Sequence, residues 1–131
     1  MTKILGIDYG LKKIGLALTD GYLAEPFKVI KVNKDIKEVT YKIVTICEKE
    51  KIEEIVIGLP ESGLVERIKG FGSDLGKLTG LPINFQDENL TTQDAIVKMI
   101  EAGKRRKFRK EKEDQIAAAI ILQDWLDKKN V

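Results

Sequence analysis

The 131-residue chain is 43% hydrophobic and 34% charged with a formal net charge of only +2, which suits one globular domain over residues 1–131 and excludes a disordered chain. No apolar run approaches the roughly 20 residues that span a bilayer, so no membrane partner is expected. There is no histidine and one cysteine, Cys47, which excludes a Ser-His-Asp triad, any zinc site that needs imidazole, and an intrachain disulfide.

The run ILGI at 4–7 leads into Asp8-Tyr9-Gly10, a strand followed by a turn. Because the chain enters this strand at once, no signal peptide is expected, and with a single cysteine the expected location is the cytoplasm. KIGLALT at 13–19 alternates and closes at Asp20-Gly21, a strong turn dipeptide. FKVIKV at 27–32 alternates apolar residues with lysine, a third strand. Short turns join all three, so they should form an antiparallel meander.

The period then changes. Asp35 and Glu38 form a capping-box pair with Asp35 as N-cap, and Ile36, Val39, Ile43 and Ile46 follow at helical spacing to about residue 51. IVIG at 55–58 is a short buried strand stopped by Leu59-Pro60. Leu64, Ile68, Phe71, Leu75 and Leu78 predict a second helix, although Gly70, Gly72 and Gly76 each lower helix propensity by about 1 kcal/mol. A fifth strand over 81–85 ends at Gln86-Asp87-Glu88. Thr91 with Asp94 opens another helix through Ile100 that Gly103 ends. A last helix, from about 112 to 128, carries Ile116, Ala119, Ile120 and Leu126 on one face. The order βββαβαβαα predicts an α/β fold, a mixed five-stranded sheet with helices on its faces, which is the ribonuclease H-like arrangement.

Without histidine, hydrolysis must rest on carboxylates, lysines, hydroxyls or a metal-bound water. Asp8 ends the first strand, Glu88 lies just past the fifth, and Asp114 begins the last helix. In open α/β sheets the working crevice lies at such junctions. Three acids facing one crevice repel unless a cation neutralises them, and Mg²⁺ or Mn²⁺ prefers oxygen ligands and keeps waters, one of which can become a nucleophile. Taken singly, each acid has a plainer reading: turn chemistry for Asp8, and helix first-turn acids for Glu88 and Asp114. The constellation argues for a catalytic metal site.

The same residues carry a family resemblance. GIDYGLKKIGLALTD at 6–20 resembles the opening motif of the YqgF family, the Holliday junction resolvase relatives also described as pre-16S rRNA nucleases. IVIGLP at 55–60, DENLTTQDA at 87–95 and DQIAAAIILQDWL at 114–126 resemble its later motifs in the right order, covering essentially the whole chain. The resemblance implies metal-dependent phosphodiester cleavage with Asp8, Glu88 and Asp114 as metal-binding catalytic acids. It points to 5′-end processing of precursor 16S rRNA, with resolution of four-way DNA junctions as the alternative. Three places depart from the pattern: Lys13 and Asn89 stand where the family has arginine, and the segment after Pro60 is short.

GKRRKFRKEK at 103–112 holds seven basic residues beside Asp114. Lys104, Arg105, Arg106, Lys107, Arg109 and Lys110 are candidates to grip the phosphates of structured RNA or branched DNA, and Phe108 to stack on a base. The plain reading is a solvated, mobile loop. Lys12 and Lys13 are further candidates, set against simple exposed charges. Cys47 and Trp125 read as packing residues. RNA trimming needs only a monomer, whereas two symmetric cuts in a junction imply a homodimer. A rival function is a non-catalytic nucleic-acid-binding module. Another is an ATP-handling domain suggested by the DxGxxxxG spacing from Asp8 to Gly15, though one such domain is half of what that chemistry needs.

Overall fold

The computed structural model of the chain describes residues 2–20, 23–33, 35–87 and 106–129, with side chains through 87 and again from 116. Strands β1 (Ile4–Tyr9), β2 (Lys13–Thr19) and β3 (Glu25–Lys31) precede helix α1 (Ile36–Lys49). Strand β4 (Glu54–Leu59), helix α2 (Val65–Thr79), strand β5 (Ile83–Asp87) and helix α3 (Arg106–Lys129) follow. The helix expected between Thr91 and Ile100, and its stop at Gly103, lie outside the described residues.

The strands form one sheet in the order β3-β2-β1-β4-β5. The expected meander is present: β1 pairs antiparallel with β2 and β2 with β3, with a register shift between Leu16 and Ala17. Strand β4 lies parallel to β1, with Ile7 opposite Ile57, and β5 lies parallel to β4, with Leu59 opposite Asp87. The three parallel strands therefore finish along one edge of the sheet.

Alternation divides each strand between two apolar layers. Leu5, Ile7, Ile14, Leu16, Ile55 and Ile57 pack with Val39, Ile43, Ile68, Phe71 and Leu75 of α1 and α2. Ile4, Ala17 and Val56 point the other way and pack with Ala118, Ile121, Leu122 and Leu126 of α3. Asp35 caps α1 as expected, its Oδ1 accepting from the Lys37 N–H at 2.9 Å. Glu38 does not face back towards the cap but lies 4.0 Å from Lys42, one turn on.

Several boundaries differ from the sequence reading, among them β3, which occupies 25–31 rather than 27–32. Strand β5 occupies 83–87 rather than 81–85, because Pro82 has no N–H for the ladder and contributes only its carbonyl, which accepts from Ile55 at 3.0 Å. Helix α3 begins at residue 106 rather than 112, so Arg106, Lys107, Arg109 and Lys110 of the basic run occupy its first turns. Arginine and lysine are good helix formers, and their charge gave no apolar period by which to recognise the helix.

Candidate functional site

Asp8 is the next-to-last residue of β1 and sits half-buried at the edge where the parallel strands end. Leu5 and Ile7 face α1 and α2, while Ile4 belongs to the α3 layer. The pleat therefore puts Gly6 and Asp8 on the α3 side. The turn that follows is tight. A Cβ on Gly10 would stand 2.6 Å from the Lys13 carbonyl oxygen, so only glycine lets the chain double back here. Lys12 and Lys13 are both exposed on this turn. The Lys12 carbonyl accepts from the Val32 N–H at 2.8 Å, and Lys13 stands opposite Lys31 on β3.

Helix α3 runs antiparallel to β1. Its last residue, Lys129, reaches Glu54 at the start of β4 with an Nζ–Oε1 distance of 3.7 Å, and Glu54 stands opposite Ile4. Nearer the site, a Cβ on Gly6 would lie 2.8 Å from the Leu122 Cβ and 3.1 Å from the Ala118 carbonyl oxygen. Asp114 lies one helical turn before Ala118, and Asp8 lies two strand residues after Gly6. A turn advances about 6 Å over four residues and a strand about 6.6 Å over two, so the Asp114 backbone comes to the level of Asp8. Glu88 is outside the described residues, as are Lys104 and Arg105; in the chain it directly follows Asp87, the last residue of β5. Arg106, Lys107, Arg109 and Lys110 are in the first turns of α3, on the same end as Asp114. Among the described residues no group of three or more histidines, cysteines or acids could hold a metal, and of the three expected acids only Asp8 has its side chain described.

One tie near the site escaped the sequence reading. Gln86 is buried, and its Nε2 donates to Oδ2 of Asp124 at 3.0 Å. It joins β5, two residues before Glu88, to the helix that carries Asp114. No local signal marked it, since β5 reads INFQD and mixes polar with apolar residues throughout. Asp124 also lies 3.8 Å from Lys128. Trp125 belongs to the second layer as expected and carries Lys129 Nζ over its ring at 4.7 Å. Cys47 is buried as expected; burial first, and the Glu48 carboxylate second, push its thiol up to about 11. No helix among the described residues is long and apolar enough to cross a membrane.

Comparison with known proteins gives this arrangement its context. The family described as RuvX, Holliday junction resolvase, matches residues 2–128. A Lactococcus lactis protein named as a pre-16S rRNA nuclease is 37% identical over 95% of this chain and 94% of its own length. An Endomicrobium trichonymphae protein of the same name is 39% identical over 97% of this chain and 96% of its own. Among solved structures, T. thermophilus RuvC in complex with a Holliday junction substrate superposes with a TM-score of 0.67 at 13% identity. That superposition covers 100% of this chain and 98% of the other. At that identity the likeness speaks for the fold, which is ribonuclease H-like.

Proposed function

The chain belongs to the RuvX family, also called YqgF, and we propose that it is a divalent-metal-dependent nuclease that trims the 5′ end of precursor 16S rRNA. The observation that carries the chemistry is the antiparallel run of α3 along β1, which brings the Asp114 backbone to the level of Asp8 at the edge where the parallel strands end. The substrate class rests on the names of relatives that match along nearly the whole chain.

In this reading residues 1–131 act as one domain, and Asp8, Glu88 and Asp114 are the acids that hold the ion. An all-carboxylate set suits a hard cation such as Mg²⁺ or Mn²⁺, and a chain without histidine offers no imidazole alternative. Bound there, the ion would supply charge neutralisation at the phosphate and an acidified water. The protein's own part is positional. The Gly10 turn fixes Asp8, the Gln86–Asp124 tie holds β5 against α3, and Lys12, Lys13 and the basic start of α3 bind the phosphates on either side. The reading places the protein in the cytoplasm, with structured nucleic acid as its partner.

The family description favours a second substrate, four-way DNA, for which two symmetric cuts would require a homodimer. Both substrates enter one experiment: labelled precursor 16S-type RNA and a four-way DNA junction, each with Mn²⁺, Mg²⁺ or EDTA. Asp8→Asn runs alongside as the control for contaminating nuclease. Metal-dependent cutting of the RNA that disappears in Asp8→Asn is expected, with an unchanged circular-dichroism spectrum. Cutting of the junction alone would replace the RNA assignment. Binding without cutting of either would point to the non-catalytic module.

A further inference from the structure

Asp8 and Tyr9 are the last two residues of β1 and point to opposite faces of the sheet, so the far face begins just around the strand end from Asp8. On that face is a cavity of about 310 Å³ lined by Tyr9, Leu11, Val32, Ile36, Arg67 and Phe71. Tyr9 and Phe71 form its aromatic wall, with ring centroids 5.0 Å apart and planes inclined at 58°. Leu11 is 54% exposed, a large apolar side chain held in water directly before Lys12 and Lys13. Arg67, on the first turn of α2, is exposed at the mouth and forms no ion pair with another described residue.

We propose that this cavity takes an unstacked nucleobase from the strand whose phosphate lies at the Asp8 site; the inference rests on the nucleic-acid reading above. Three properties favour a base over another apolar group. The volume is that of a small-molecule site, too small for a folded segment of protein. The wall carries the half-buried Tyr9 ring and the mouth an exposed guanidinium, two groups on which bases of any sequence stack. Leu11 of the cavity also directly precedes the exposed Lys12 and Lys13 in the chain, so an apolar slot and a cationic turn are neighbours, as base and phosphate are in a nucleotide. A base can enter only if it is free of its duplex partner, and the cavity therefore selects strands with unpaired nucleotides next to the cut. A blunt helix gains nothing from it.

The test is binding with Ca²⁺ in place of Mg²⁺, an oxygen-preferring ion of the same charge that neutralises the acids, with the nucleic acid checked on a gel to be uncut. Fluorescence anisotropy compares a blunt RNA duplex with the same duplex carrying a single-stranded tail that contains 2-aminopurine, and both are repeated as DNA. The wild-type chain should prefer the tailed form and change the 2-aminopurine emission. Arg67→Ala and Leu11→Ser, both at exposed positions, should each lose about tenfold in affinity for the tailed form and less than about twofold for the blunt one. Selective loss on the RNA tail or on the DNA tail supports the pocket and names the strand it takes. Unchanged binding by both variants would overturn it, and so would equal loss on tailed and blunt forms, which would make Arg67 a general phosphate contact. A tail preference that survives while the cleavage assay fails would fault the nuclease reading alone. Failure of the wild-type chain to bind any of these nucleic acids would overturn both.

Discussion

Gly6 of β1 and Leu122 of α3 meet so closely that a Cβ on the glycine would stand 2.8 Å from the leucine Cβ. The Ala118 carbonyl lies 3.1 Å from the same point, so the strand is pressed against helix backbone as well as side chain. A Cβ atom is not a flexible terminus that can swing aside, and the helix as a whole must give.

Gly6→Ala is therefore expected to destabilise the chain by about 1–3 kcal/mol through overpacking, even though alanine restricts the unfolded chain and by itself favours folding. Urea denaturation measures this. Because the displaced helix carries Asp114, cleavage should fall further than the lost stability explains at temperatures where the variant is fully folded. An unperturbed midpoint together with full activity would show that α3 does not seat as described.

Cys47 should be chemically quiet in the native state. Its thiol is raised from an ordinary 9.0 to about 11 by burial and by Glu48, so the neutral form is native at pH 8. Alkylation by iodoacetamide at pH 8 is expected to be about a hundredfold slower than in the urea-unfolded chain, from thiolate fraction alone. The sign of the linkage follows from the raised value. The contribution to stability is complete below about pH 9, where the unfolded thiol begins to ionise, and is lost as pH climbs towards about 11. Equal alkylation rates in the two states would contradict this.

The basic start of α3 should govern the salt dependence of binding. Replacing Lys107, Arg109 and Lys110 with glutamate, itself a good helix former, should lower affinity for structured RNA. It should also flatten the plot of log affinity against log salt by about 0.7–0.9 for each phosphate contact removed. Titrations at several salt concentrations, with circular dichroism to confirm helix content, decide the matter. An unchanged slope would place the phosphate grip elsewhere.

How much was legible in the sequence depended on where the determining contact lay. The strands and α1 were marked by local alternation, turn dipeptides and the Asp35 cap, all of which act within a few residues. The second helix looked doubtful for its glycines, yet a Cβ on Gly72 would come within 2.9 Å of Phe85 and 3.3 Å of Ile57. At Gly72 and Gly76 what propensity counts as a defect is the close seat of α2 on the sheet, visible only once the sheet is assembled, whereas a Cβ on Gly70 would meet nothing within 4 Å. The place of Asp8 at the end of β1 was legible because a strand end before a glycine turn is a local pattern. The Gln86–Asp124 bond was not, since it spans 38 residues and depends on the angle at which α3 crosses the sheet.

The position of α3 in the chain also orders events during synthesis. The meander, β4, β5 and the first two helices all precede residue 106, and they can assemble one apolar layer while Ile4, Ala17 and Val56 remain bare on the other face. Translation delivers the covering helix last, because domains are made from the N-terminus onward. The same helix bears the acid proposed to complete the metal site and the cations proposed to hold the strand. A partly made chain would then be sticky yet unable to cut, and the sealing of its exposed face would coincide with the onset of its activity. On the nuclease reading proposed above, that coincidence would keep an unfinished chain from cutting the RNA around it.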